Sequence, residues 1–175
     1  MHGNLSLGMG VVVSALLLSA CAGYGGSNLK PGVATLPEVI ASMGEPAMRW
    51  READGREQLA YPRGPAATQT FMVFMASDGR LERIEAVLDM AHFVRVEAGK
   101  SDKASVLRLL GPSPTQWEQY YQLSNQLAWT WLFCDSWGSQ AFFDVMFDAS
   151  TGLVRTTGQH PNLQGIDGVA PSCGH

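Results

Sequence analysis

The sequence predicts an α+β fold of two tandem units, each a helix followed by an antiparallel sheet, with the helices packed on one sheet face. Three observations lead there. A stretch of the form Gly-x6-Val-x4-Gly occurs twice, with Gly32, Val39 and Gly44 returning as Gly99, Val106 and Gly111, and a recurring segment signals a recurring structural unit. Both copies carry apolar residues at helical spacing. Each is followed by short alternating runs broken at Asp/Gly corners, the pattern of antiparallel hairpins. A helix with one apolar stripe and a sheet with one apolar face bury each other, which gives the layered arrangement.

Residues 1–20 contain no Asp, Glu, Lys or Arg, and residues 11–18 form an apolar run. That run is too short to span a bilayer and has the length of a signal-peptide core. It ends at Leu18-Ser19-Ala20-Cys21, which resembles a bacterial lipobox. The resemblance implies a signal peptide over 1–20 and lipid attachment at Cys21. Ala22, rather than Asp, then implies sorting to the outer membrane. A cleaved secretory signal with an incidental cysteine is the competing reading. Residues 21–30 are rich in Gly and Ser and read as a flexible tether. Gly23-x-Gly25-Gly26 is not a nucleotide loop, since no strand precedes it and no Lys-Ser/Thr follows.

The first unit covers residues 31–90. Thr35 caps the helix, Glu38 completes a capping box and Pro37 sits in the first turn, where its missing N–H costs nothing. Leu36, Val39, Ile40 and Met43 share one face, and Gly44 ends the helix. Residues 45–57 read as irregular and polar, with room for a second short helix. Gln58–Tyr61 is a short strand, and Tyr61-Pro-Arg-Gly-Pro65 must be loop or sheet edge. Thr70–Met75 alternates, Asp78-Gly79 turns, and Leu81–Leu88 returns with Ile84, Ala86 and Leu88 inward.

The second unit covers 91–160. Asp102 takes the capping role, Val106, Leu107 and Leu110 repeat the face, and Gly111 is again the stop. Residues 112–126 read as polar with a short helix at Gln116–Leu123. Leu127, Trp129, Trp131 and Phe133 then alternate with Ala128, Thr130 and Leu132. Phe142–Phe147, a turn at Asp148…Gly152, and Leu153–Thr157 follow. Each unit thus reads as one helix and roughly three strands. Residues 161–175 form a Gly/Pro-rich tail.

These motifs resemble the SmpA/OmlA (BamE-like) domain family of outer-membrane lipoproteins. The second half carries the closer match, through Gly99…Gly111-Pro112, Trp129-Thr-Trp131 and Phe147-Asp148…Gly152-Leu-Val154. The first matches through Gly32…Gly44-Glu-Pro46, Leu59-Ala-Tyr61 and Phe74…Asp78-Gly79. Family members carry one copy, so the duplication is a departure. The tandem arrangement also resembles the β-lactamase inhibitor proteins. The first resemblance implies a lipid-anchored module on the periplasmic face of the outer membrane, serving envelope or outer-membrane protein assembly through protein–protein contacts. The second implies an inhibitor that presents its sheet face to a periplasmic or extracellular enzyme. Caps, turns and sheet aromatics argue fold more strongly than function.

The residues themselves carry little catalytic chemistry. His-Glu-x-x-His, Gly-x-Ser-x-Gly, phosphate-loop and Cys-x-x-Cys patterns are all missing from the sequence. Cys134 with a distant His92 or His160 is the one nucleophile set available, and the expectation is no enzyme, no cofactor and no metal. The net charge is −4 with no basic run, which excludes the electrostatic footprint of a nucleic-acid binder. With Cys21 lipidated, Cys134 and Cys173 remain as an even pair in an oxidising compartment. Either they bridge and pin the tail, or one is a reduced strand cysteine and the other lies free in the tail. The aromatic residues concentrate between Trp117 and Phe147. Trp137, Tyr120 and Tyr121 are the candidate interface residues among them. Asp144 joins them, because it interrupts an apolar strand and should face solvent. The expected partners are a membrane, through the lipid, and a protein.

Overall fold

A computed structural model describes residues 25–63 and 68–173, so Cys21, the lipobox and the signal segment lie outside the described residues. Two four-stranded antiparallel sheets form the framework of the described residues. The first follows helix α1 (Leu36–Met43) and has the order β1 (Met48–Arg51), β2 (Glu57–Arg63), β3 (Gln69–Met75), β4 (Leu81–Ala86). A short helix α2 (Met90–Phe93) and helix α3 (Lys103–Leu110) precede the second sheet. Its order is β5 (Gln119–Tyr121), β6 (Gln126–Cys134), β7 (Gln140–Asp148), β8 (Val154–Pro161). The chain is therefore α+β.

Several local expectations change. Each sheet has a fourth strand, β1 or β5, in a segment that reads as polar and irregular. The helix expected at Gln116–Leu123 is instead a 3-10 turn, Thr115–Trp117, followed by β5. Strands as short as Gln-Tyr-Tyr at a sheet edge show no alternation long enough to register. Pro62 lies inside β2 opposite Thr70, yet β1 pairs only as far as Ala60, so the proline sits where β2 is an edge. Ala86 is exposed rather than inward. Its ladder partner is Phe71, so it shares a face with Ile84 but lies at the last pair of the β3–β4 ladder, where the core cluster stops.

Helices α1 and α3 each start at a contact between the N-cap residue and the third helical residue and stop at a glycine. The Glu38 carboxylate accepts from the Thr35 N–H at 2.7 Å and hydroxyl at 2.8 Å, which holds that carboxyl below its usual range. Asp102 accepts from the Ser105 N–H at 2.7 Å while the Ser105 hydroxyl accepts from the Asp102 N–H at 2.9 Å. Gly44 and Gly111 close the two helices at φ 77° and 76°. The loop ahead of each helix is stitched to the last strand in the same way. Gly32 N–H donates to Leu81 O and Leu81 N–H to Ala34 O, at 2.8 and 2.7 Å. Gly99 N–H donates to Val154 O and Val154 N–H to Ser101 O, both at 2.8 Å. The sheet ladders shift register between Phe74 and Met75 and again between Met146 and Phe147.

Val39 and Met43 of α1 share a buried cluster with Leu59, Tyr61, Val73, Met75 and Leu81. Val106 and Leu110 of α3 share another with Trp129, Trp131, Phe133, Phe143, Val145 and Phe147. Phe93 of α2 plugs that second core, stacked on Phe143 at 4.0 Å and edge-on to Phe133 at 4.8 Å. Each fully buried apolar side chain of this size contributes about 1.5–3 kcal/mol.

The far face of the first sheet is also covered. Ala60, Met72 and Val87 form a third buried cluster there. The end of α3 rests on it: a methyl group at Gly111 would lie 2.8 Å from Thr70 Cγ2, 3.4 Å from Met72 Cε and 3.6 Å from Ala60 Cβ. Gln58 Nε2 donates to the Arg108 carbonyl at 2.6 Å, and Arg108 pairs with Glu52 at 2.6 Å beside the Trp50 ring. The end of α3 thus touches the far face of the first sheet while Val106 and Leu110 enter the core of the second.

Residues 25–30, read as the distal part of a tether, are folded onto the first sheet. Leu29 packs on its core cluster, and Asn28 accepts from the Ser42 hydroxyl at 3.0 Å. Gly26 permits this. At φ 63°, a Cβ there would meet Ile84 Cδ1 at 2.8 Å and Met43 Sδ at 3.0 Å.

Candidate functional site

Among the described residues no α-helix covers the outer face of the second sheet, and the 3-10 turn Thr115–Trp117 lies along its margin. Alternation along β6 and β7 sends Trp129, Trp131, Phe143 and Val145 into the core and leaves Ala128, Thr130, Phe142, Asp144 and Met146 on the other side. The edge strand β5 adds Gln119 and Tyr121, paired with Ala128 and Gln126. Strand β8 adds His160, opposite Phe142. The 3-10 turn places Trp117 edge-on to Phe142, with ring centroids 5.3 Å apart. Together they line an open cavity of about 530 Å³, with Gln116, Glu118 and Gln164 at its margins.

Asp144 is the polar centre of this floor. Its Oδ1 accepts from the Thr130 hydroxyl at 2.6 Å, and its Oδ2 lies 3.2 Å from His160 Nε2. The Asp144 side chain is 26% exposed and that of His160 55%. The order of the three groups matters chemically. Thr130 donates to the carboxylate directly, so the imidazole is not placed to accept its proton. A relay needs the imidazole between hydroxyl and carboxylate. What the arrangement offers is a carboxylate, two exposed rings and several amide groups: recognition chemistry, with acidic Glu118 and Asp144 and no Lys or Arg in the lining.

The sequence-derived site residues divide. Tyr121 and Asp144 meet at this face. Tyr120 pairs with Leu127 and so lies on the opposite side, exposed, donating to Asn125 Oδ1 at 2.8 Å. Trp137 sits in the β6–β7 turn, 88% exposed, and does not line the cavity. Its turn is held by Asp135 Oδ1, which accepts from Trp137 N and Ser139 N, both at 2.9 Å. Cys134 and Cys173 are bridged, with Cα atoms 6.0 Å apart. A cystine sulfur is not a thiolate, so Cys134 has no nucleophile in this state. The bridge brings the tail to the sheet, where Asn162 Nδ2 donates to Gln140 Oε1 at 3.0 Å and Gln140 N to Pro171 O at 2.8 Å.

Trp117, Thr130 and Phe142 form the part of the site that the sequence reading left unassigned, and His160 entered that reading only as a distant partner of Cys134. Their meeting depends on strand pairing and on the 3-10 turn, which no local sequence pattern carries.

A second cavity, about 550 Å³, lies between α3 and the far face of the first sheet, lined by Arg83, Glu85, His92, Arg95 and Arg108 among others. Most of its charges are already paired. Arg83 meets Glu82 and Glu85 at 2.6 Å, Arg108 meets Glu52, and His92 Nδ1 is 2.8 Å from Asp89. Among the described residues no group of His, Cys, Asp or Glu is arranged to hold a metal ion. No helix among them is long and apolar enough to cross a membrane.

No family model matches the chain. No curated protein matches it either. Among solved structures, an extracellular protein containing a SCP domain from Bacillus anthracis str. Ames aligns with 89% of this chain and 49% of that chain, at 14% identity and a TM-score of 0.27. The chain thus spans about half the length of that structure, and a likeness of this size decides neither fold nor function.

Proposed function

We propose that this chain is a lipid-anchored binding module on the periplasmic face of the outer membrane, similar to the BamE-like lipoproteins and non-catalytic. It acts in envelope or outer-membrane protein assembly through protein–protein contacts. In this reading the chain is a duplicated helix-plus-sheet unit, each helix packed on one face of its own sheet. Support for the duplication comes from the paired capping devices, the paired closing glycines, the identical loop-to-strand hydrogen bonds and the matched register shifts. The anchor rests on the lipobox-like run ending in Cys21. Two or more acyl chains hold a protein stably where one does not.

The observation that carries the contact role is the open outer face of the second sheet. It combines Trp117, Tyr121 and Phe142 with Asp144, residue types suited to a protein interface. Replacing Tyr121 by a photo-cross-linking amino acid in living cells tests it. Adducts with subunits of the outer-membrane assembly machinery are expected. Adducts with a soluble enzyme instead would favour the inhibitor-type alternative, and no adduct from this face would overturn the contact role. Radiolabelled palmitate should enter the wild-type protein and not Cys21→Ala; an unlabelled wild type would overturn the anchor.

A further inference from the structure

We infer that the open face of the second sheet binds a basic side chain, an arginine or lysine presented by a partner polypeptide, with Asp144 as its counter-ion. This rests on the reading of that face as a contact surface and adds the chemistry of the occupant.

The first sheet shows what its corresponding face is for. There Thr70, Met72 and Ala60 form the seat on which Gly111, at the end of α3, is docked. The ladder register places Phe142, Asp144 and Thr130 at the same three positions of the second sheet, with Ala60 opposite Met72 in one and Thr130 opposite Asp144 in the other. Val87, which closes the seat in the first sheet, corresponds to His160. The apolar Ala60, Met72 and Val87 are all buried. Their counterparts are a hydroxyl, a carboxylate and an imidazole, and they are open. A seat for a hydrocarbon surface has become a seat for something that donates hydrogen bonds.

Charge narrows the occupant. Glu118 and Asp144 line the cavity and no Lys or Arg does. Among the described residues each Asp144 oxygen has one partner, Thr130 or His160, and a carboxylate oxygen has a second lone pair to offer. Trp117, Tyr121 and Phe142 supply ring surface around it. A guanidinium pairs with a carboxylate and lies against aromatic rings at once, so arginine fits better than lysine. A second copy of this chain fits poorly. The layer that would stack next is α1, whose exposed surface carries Glu38, with Glu45 just past its end and no basic residue in its last turn. Like charges across a contact are unfavourable. Free anions are disfavoured for the same reason.

The test uses the purified full-length protein in detergent. The ligand is a Gly/Ser heptapeptide with one central arginine, and the control is the same peptide with citrulline, which has the shape without the charge. The Trp117 indole N–H resonance, identified by its loss in Trp117→Phe, is followed during titration. A saturable shift is expected with the arginine peptide. Affinity should be about tenfold lower for citrulline and for Asp144→Asn, which leaves the size of the side chain unchanged. No saturable shift, equal binding of citrulline, or unchanged binding by Asp144→Asn overturns the inference; so does a shift seen only with anionic lipid vesicles. If Tyr121 cross-links to a protein while these titrations fail, the contact surface stands and the basic occupant alone is lost.

Discussion

Glycines at positive φ look alike in the sequence and do different things in the fold. Gly99 and Gly111 both adopt left-handed φ, 74° and 76°. A Cβ at Gly99 meets nothing within 4 Å, whereas one at Gly111 strikes Thr70 at 2.8 Å in the seam between the two sheets. Gly99→Ala should therefore cost only the backbone term, about 1 kcal/mol. Gly111→Ala should cost about 3 kcal/mol, because the seam must open as well. Urea denaturation of the two variants checks the difference; equal losses would show that Gly111 is not wedged against the sheet.

At the scale of elements, the sequence made the helices, caps and long strands legible and left the edges hidden. The two capping boxes, Gly44, Gly111 and the alternation through Trp129–Phe133 all act locally, so their residues announce them. Strands β1 and β5 did not show, since Met-Arg-Trp-Arg and Gln-Tyr-Tyr become strands only by pairing with a longer neighbour. Four-residue α2 was lost for a similar reason: Phe93 is fixed by stacking on Phe143, a tertiary contact that overrides weak local preference. Alternation identified both faces of the second sheet but not which one lay open. That depends on where α3 goes, so Tyr121 and Asp144 were recognised while Trp117 and His160 were not. The tail is an element only because of its bridge. The Cys134–Cys173 disulfide spans 39 residues, and the chain-entropy relation assigns such a closure about 4 kcal/mol. Cys173→Ser, compared with wild type under oxidising conditions, should lose stability of that order and expose residues 162–173 to protease. Loss below about 1 kcal/mol would mean that the unfolded chain is barely constrained by the link.

Across the whole molecule, the two four-stranded sheets end in unlike surroundings. Met72 is buried beneath α3, and Asp144 at the corresponding ladder position lines an open cavity. Exchanging the residue types exposes the asymmetry. Met72→Asp should destabilise by more than about 3 kcal/mol, because an unpaired carboxylate is buried in an apolar seam. Asp144→Met should change stability by less than about 1 kcal/mol, since it trades a partly exposed hydrogen bond to Thr130 and a contact with exposed His160 for apolar surface. Thermal unfolding of both variants decides this, and comparable losses would mean that the second outer face is as tightly engaged as the first.

Residues 25–30 lie folded on the first sheet, where Leu29 joins the core and Asn28 accepts from the Ser42 hydroxyl. Were Cys21 acylated as proposed, four residue steps, at most ~14 Å of contour, would separate the lipid from that docked segment. The anchor would then hold the first sheet close to the bilayer instead of leaving the folded unit on a long tether, and a partner that meets this chain would do so near the membrane surface.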